Sequence, residues 1–257
     1  MGYEKLILEK ENGYWVATID NPPANALGEE VLVEMDDLLT SFGEDTSSRA
    51  LIITGAGGKI FSAGADIRQL EKMRSGAALK INGQQVFSKI EKSCKPVIAA
   101  LQGSAFGGGM ELALSCHLRI LSSSAVMGLP EVKLGILPGW GGTQRLPRLI
   151  GKTRALEMML TGESLSAEQA LTYGLINKVV PVEEVLPEAR LMASRFACGA
   201  PLAMGKILGA VQEGIEVTIE EGLKIEESGF RSIIMTEDAK EGTEAFLQKR
   251  KANFQGR

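Results

Sequence analysis

The chain contains a single histidine, His117. Any Ser-His-Asp or Cys-His arrangement would have to use it, and a zinc site built on several imidazoles is excluded. His117 lies between a helical pattern and a strand-like run, where a structural role is the plainer reading. Cysteine is scarce too. Cys94, Cys116 and Cys198 are odd in number, widely spaced and without a CxxC pair, as expected for free thiols in a reducing cytosol. No apolar run approaches the roughly 20 residues of a membrane span. The charged start MGYEKLILEKENG lacks the apolar core of a secretory signal, and Leu6 stands where myristoylation asks for Ser or Thr. A net charge of −4 offers no general attraction for nucleic acid or anionic membrane. A soluble, cytoplasmic chain is expected. No GxSxG elbow occurs, and Gly55-Ala56-Gly57-Gly58-Lys59-Ile60 fits neither GxGxxG nor the P-loop pattern, so it reads as a turn.

What the chain does have is apolar residues, 44% of the total, enough to bury a substantial core at this length, and 30 glycines, which imply many tight turns or close backbone approaches. Tyr3 to Glu9 and Tyr14 to Ile19 read as a hairpin around Glu11-Asn12-Gly13. Gly28 to Thr40 is an amphipathic helix, and ALIIT (Ala50 to Thr54) a strand buried on both faces. The loop Gly55 to Asp66, a helix from Lys80 to Ser93 and a strand from Pro96 to Leu101 follow. Such alternation predicts a parallel sheet with right-handed crossovers. Beyond Arg145 the pattern turns helical: Gly151 to Thr161, Ser166 to Tyr173, Val182 to Cys198, Pro201 to Gly214, Val217 to Ile234 and Thr236 to Lys251, with a short strand from Ile176 to Val180. Ser166 and Thr236 are N-cap candidates. An α/β core over residues 1–190 and a helical segment over 191–257 result, and a small helical tail of this kind is expected to dock on a neighbouring subunit.

Val97 to Arg145 carries the chemistry. A β-branched run enters Gly107-Gly108-Gly109, a helical pattern with Glu111 follows, then a strand-like run from Leu118 to Ser122 and the pair Pro130-Glu131. A helix that starts on glycines presents free N–H groups and a positive dipole end. A second N–H near Ala65 would complete a two-donor oxyanion hole, and two carboxyls beside it would supply general acid and base. The residues also allow a plainer reading, with Glu111 a first-turn helix acid and Glu131 a turn residue.

Four segments, FSAGAD, GSAFGGGMELALSCHLRI, GLPEVKLGILPGWGGTQRLPRLIG and FLQKRKANF, resemble the enoyl-CoA hydratase/isomerase (crotonase) superfamily in order and spacing over nearly the whole chain. The resemblance implies a crotonase-like α/β spiral of β-β-α units with a helical C-terminal trimerisation segment. It implies reversible syn addition of water to a trans-2-enoyl-CoA, as in fatty-acid β-oxidation, giving a 3-hydroxyacyl-CoA. By motif position the oxyanion donors are the N–H groups of Ala65 and Gly108. Glu111 holds and deprotonates the water, and Glu131 protonates the α-carbon. CoA contacts are implied at Ala63, Ala65, Asp66, Ile67 and Arg68, the last standing where lysine is common, and from a neighbouring subunit at Phe230 and Lys249. Gly139 would line the site and Trp140 would wall the acyl pocket or pack in the core. The segment Leu70 to Phe87 would border the acyl tail, with Met73 and Leu79 as candidates. No metal and no separate cofactor are expected, since CoA is part of the substrate. The expected assembly is a homotrimer or a dimer of trimers. The alternatives are a Δ3,Δ2-enoyl-CoA isomerase, which typically lacks one acid, another acyl-CoA lyase of the family, an RNA-binding relative using Lys80, Lys89, Lys92 and Lys95, and an inactive scaffold.

Overall fold

Leu6–Glu11 (β1) and Tyr14–Ile19 (β2) pair antiparallel across the Asn12-Gly13 turn, Leu6 opposite Ile19 and Glu11 opposite Tyr14. The computed structural model describes residues 2–76 and 80–257. After helix α1 (Glu29–Glu44) the chain makes three successive β-β-α passes. The first comprises β3 (Ala50–Gly55), β4 (Ile60–Ser62), α2 (Ile67–Arg74) and α3 (Gly83–Glu91). The second comprises β5 (Val97–Leu101), β6 (Ser104–Phe106) and α4 (Gly108–Ser115). The third comprises β7 (Leu118–Ser122), β8 (Val126–Gly128), a 3-10 turn (Pro130–Leu134) and α5 (Gly142–Ile150). In each pass the first strand joins a six-stranded sheet and the second a four-stranded one. Their orders are β1-β2-β3-β5-β7-β10 and β4-β6-β8-β9, where β9 is Ser164–Ser166 and β10 Lys178–Val180. The passes stack as a spiral, the architecture that the resemblance implied.

The continuous apolar strands are buried on both faces. Leu51 and Ile53 of β3 point into one cluster with Trp15, Val97, Ala99 and Leu121, under α1, α3 and α4. Ala50 and Ile52 point the other way, with Val16, Ile98 and Ile120, onto Val185, Ala189 and Ala193 of α8 (Val182–Ala197). A boundary at residue 190 therefore falls inside a helix that completes the core. Further helices are α6 (Lys152–Thr161), α7 (Ala167–Thr172), α9 (Pro201–Gly214), α10 (Ile219–Ile234) and α11 (Glu237–Leu247). Ser166 and Thr236 cap α7 and α11, and Thr218 adds a reciprocal cap with Glu221 at the start of α10.

Several boundaries differ from the sequence reading. The loop Gly55 to Asp66 contains β4, too short to show a period. Residues 142–150 form α5 despite Pro147, whose place in the second turn leaves the helix start intact. Lys249 to Lys251 is not helical: Lys249 adopts φ +54, and the Arg250 N–H closes back on Ala245 O at 3.0 Å, a left-handed helix ending without glycine. Leu79 lies outside the described residues, as does the side chain of Met73. Arg49 ties the tail to the core, donating to Gly199 O at 2.7 Å and Phe254 O at 2.6 Å.

Candidate active site

Two backbone segments meet at Gly107-Gly108. Gly107 takes φ +51 and ψ −128, turning β6 directly into α4, and its N–H donates to Gly128 O at 2.9 Å. The Phe106–Gly128 register thus fixes the start of α4 against the end of β8. From the other side comes the loop after β4, anchored by Ala63 N–H to Ala24 O and by Leu27 N–H to Gly64 O. Gly64 has φ +96, and a Cβ there would lie 2.8 Å from Gly108 N and 2.7 Å from Phe106 O, so only glycine lets the loop approach this closely. Ala65 N is 3.1 Å from where a Gly108 Cβ would stand. Among the described residues, neither the Ala65 nor the Gly108 N–H donates a hydrogen bond. Two unsatisfied N–H groups sit side by side, one at a helix N-terminus. An oxyanion fits them.

Glu111, one turn into α4, is 2% exposed. Its Oε1 accepts the Trp140 and Gly142 N–H groups, each at 2.7 Å, Gly142 being the first residue of α5. Burial raises the Glu111 carboxyl above its ordinary value, while those N–H groups and the Arg145 charge pull it back. Glu131 is the second residue of the 3-10 turn just after β8, so the Phe106–Gly128 pairing carries it over Gly107, where a Cβ would lie 3.0 Å from Oε1. Its Oε2 is buried with no hydrogen-bond partner among the described residues. Burial, reinforced by the Glu111 charge and opposed by its own backbone N–H, pushes the Glu131 carboxyl up to about 7. Both carboxyls are shifted up, and the one held by fixed N–H groups is the more easily ionised of the two. The other is better suited to hold a proton.

Trp140 packs its indole against Gly108, 2.6 Å from where a Cβ would stand, and against Gly83 of α3, and meets Phe87 edge-on with ring centroids 5.6 Å apart. It is half-buried at the edge of the core, and Gly139 beside it is exposed. Ala63, Asp66, Ile67 and Arg68 lie next to Ala65, and Asp66 grips the Arg68 guanidinium with both oxygens at 2.7 to 3.0 Å. Phe230 lies on α10, which rests on α9 and α11, and Lys249 follows α11, so neither belongs to the elements that build this cluster. The sequence reading missed Arg145, which donates to Trp140 O at 2.9 Å. Nothing in a lone arginine between glycines and prolines announces that contact. His117 takes a structural place, its Nδ1 accepting the Val97 N–H at 2.9 Å. Lys89 bonds Asp36 at 2.8 Å, and Lys95 caps the end of α1 through Phe42 O and Asp45 O, each at 2.6 Å.

The family profile described as "Enoyl-CoA hydratase/isomerase" matches residues 9–257. The chain is 46% identical to the crotonyl-CoA hydratase of Syntrophomonas wolfei, over 99% of both chains. It is 43% identical to the short-chain-enoyl-CoA hydratase of Clostridium acetobutylicum, over 98% of this chain and 97% of that one. The crystal structure of an enoyl-CoA hydratase from Bacillus anthracis superposes with a TM-score of 0.94 at 37% identity, over 99% of this chain and 100% of the other. With two free N–H groups facing two unlike carboxyls inside such a spiral, the chain belongs to the enoyl-CoA hydratase/isomerase family.

Proposed function

We propose that this chain is an enoyl-CoA hydratase, adding water across the double bond of a 2-enoyl-CoA to give a 3-hydroxyacyl-CoA. The observation that carries the reading is the unequal pair, Glu111 with two N–H donors and Glu131 with a buried oxygen that has none. The thioester oxygen lies between the Ala65 and Gly108 N–H groups. Glu111 takes a proton from the water as its oxygen bonds to C3, and the displaced electron pair moves through C2 to the thioester oxygen. The enolate so formed is stabilised by the two N–H groups, where losing one donor typically costs roughly 100- to 1000-fold. It collapses as C2 takes the proton of Glu131. The addition is redox-neutral and requires no electron carrier, and CoA enters with the substrate.

The crotonyl and short-chain substrates named for the two relatives favour a short acyl group, with the Trp140 indole as the wall of the acyl pocket. Ala63, Asp66, Ile67 and Arg68 border the CoA path, with Gly139 at the rim of the site. Helices α9 and α10 bury no residue within the chain, which supports a subunit interface there. We assign a homotrimer, or a dimer of trimers, in which Phe230 and Lys249 serve a neighbour's CoA. Three unpaired cysteines support a reducing, cytoplasmic setting. No helix among the described residues is long and apolar enough to cross a membrane.

The test is the loss of the conjugated enoyl-thioester absorbance of crotonyl-CoA. Fast loss in the wild type that collapses in Glu111→Gln and Glu131→Gln, both folded, is the expected result. A folded wild type that leaves crotonyl-CoA intact but shifts the double bond of a 3-enoyl-CoA would overturn hydration in favour of isomerisation.

A further inference from the structure

Arg145 takes no part in the steps above, yet its guanidinium is fixed at three points with only 10% of the side chain exposed. Nε and Nη2 donate to the two carboxylate oxygens of Glu91 at 3.1 and 2.8 Å, and Nη1 donates to the Trp140 carbonyl at 2.9 Å. Glu91 is the last residue of α3, and its own carbonyl is bonded by the Gln212 side chain from α9. The anchor is therefore itself held. The two peptide groups flanking the Trp140 Cα are both gripped, the 139–140 group by Glu111 at the Trp140 N–H and the 140–141 group by Arg145 at the Trp140 carbonyl. Gly141, at φ +112, follows, and then Gly142 gives the second N–H to Glu111. A Cβ on Gly141 would lie 3.0 Å from the Arg145 Cζ, so the turn is wrapped against the guanidinium. A flat fork can bond a carboxylate along one edge and a carbonyl from its remaining nitrogen. A lysine ammonium cannot reproduce that geometry.

We propose that Arg145, anchored by Glu91, is a positioning residue for the general base, holding the Trp140–Gly142 turn so that its two N–H groups stay aimed at Glu111. A plain helix tie between α3 and α5 would use the same ion pair and would act on Glu111 through the Arg145 charge alone, which a lysine supplies as well, leaving the aim of the two N–H groups and kcat unchanged.

The test combines kinetics with a readout that does not need turnover. Arg145→Gln, Arg145→Lys and Glu91→Gln are assayed for kcat and KM with crotonyl-CoA. Protein labelled with 13C at the glutamate carboxyls is titrated by NMR, the Glu111 signal being identified by its loss in Glu111→Gln. The charged groups bearing on Glu111 are Arg145 from α5 and Glu131 from the 3-10 turn, while on α3 Glu91 is paired with Arg145 and Lys89 with Asp36. In Arg145→Gln the expected result is a fall in kcat of roughly tenfold or more with KM little changed, because a small misplacement of a catalytic group is costly. The Glu111 titration midpoint moves up, and Arg145→Lys restores only part of either. Glu91→Gln gives the same signs, severalfold smaller, and keeps the proposal testable if Arg145 variants do not fold. A folded Arg145→Gln with kcat within about twofold of wild type, an unmoved Glu111 titration, or full recovery of both in Arg145→Lys overturns the positioning role. The kinetic arm rests on the hydratase reading. If the wild type does not hydrate crotonyl-CoA, that reading fails while the NMR titration still decides this one.

Discussion

Glu131 and Glu111 are unequal neighbours: the charge on Glu111 adds to burial in holding the Glu131 carboxyl at about 7, while two N–H bonds of 2.7 Å oppose the same pressure on Glu111. In the hydration mechanism proposed above Glu131 carries the proton delivered to C2. Activity should therefore decline as pH rises through about 7, where Glu131 ionises. A pH profile of kcat/KM for crotonyl-CoA checks this. Glu131→Gln should lack that limb, with activity reduced roughly 100- to 10000-fold.

The same carboxyl links pH to stability. Its folded value of about 7 lies above the ordinary 4.5, so the folded state holds the proton more tightly than the unfolded chain. The associated stability is complete below about 4.5 and is lost as pH rises to about 7, a difference of roughly 3 kcal/mol at 1.4 kcal/mol per unit. Glu131→Gln, which stays neutral, should gain in Tm over the wild type at pH 8 and show little gain at pH 4. An equal Tm difference at both pH values would mean that Glu131 ionises normally in the folded protein.

Gly64→Ala should damage the proposed oxyanion hole without touching either acid. The new methyl would stand 2.8 Å from Gly108 N at a backbone φ of +96. Loss of about 1 to 3 kcal/mol of stability follows from the strain, and kcat should fall by roughly 100-fold as one donor is displaced. Thermal unfolding and steady-state kinetics on the same preparation check both halves.

The tail offers a test of assembly. Ile219, Leu223, Phe230 and Ile234 on α10 are all more than half exposed in the chain by itself. Burying a large apolar side chain is worth about 1.5 to 3 kcal/mol, so Phe230→Asp should lower the mass seen by light scattering towards that of one chain. A wild-type monomer at micromolar concentration would refute the proposed trimer.

Much of this was legible in the sequence, for identifiable reasons. ALIIT and VIAAL announce themselves because strands buried on both faces must be continuously apolar, and their register with one another sets the spiral. Glu111 and Glu131 stood out because charges are rare in such company. The three-residue strands β4, β6, β8 and β9 were hidden, since each is shorter than any readable period and is specified by its partners. Arg145 was hidden for a related reason: its value lies in reaching Glu91 and the Trp140 carbonyl, which only the folded chain brings within range.

The proposed hole at Ala65 and Gly108 is made of main-chain N–H groups, which every residue but proline has. An alanine scan would pass over Ala65 entirely, and Gly64 sits in a loop with no side chain to mark it. The charge-stabilising part of the machine is thus encoded by backbone path rather than by side-chain identity. On this reading, changes in the surrounding side chains leave the proposed anion site in place as long as the glycines that let the two segments touch remain.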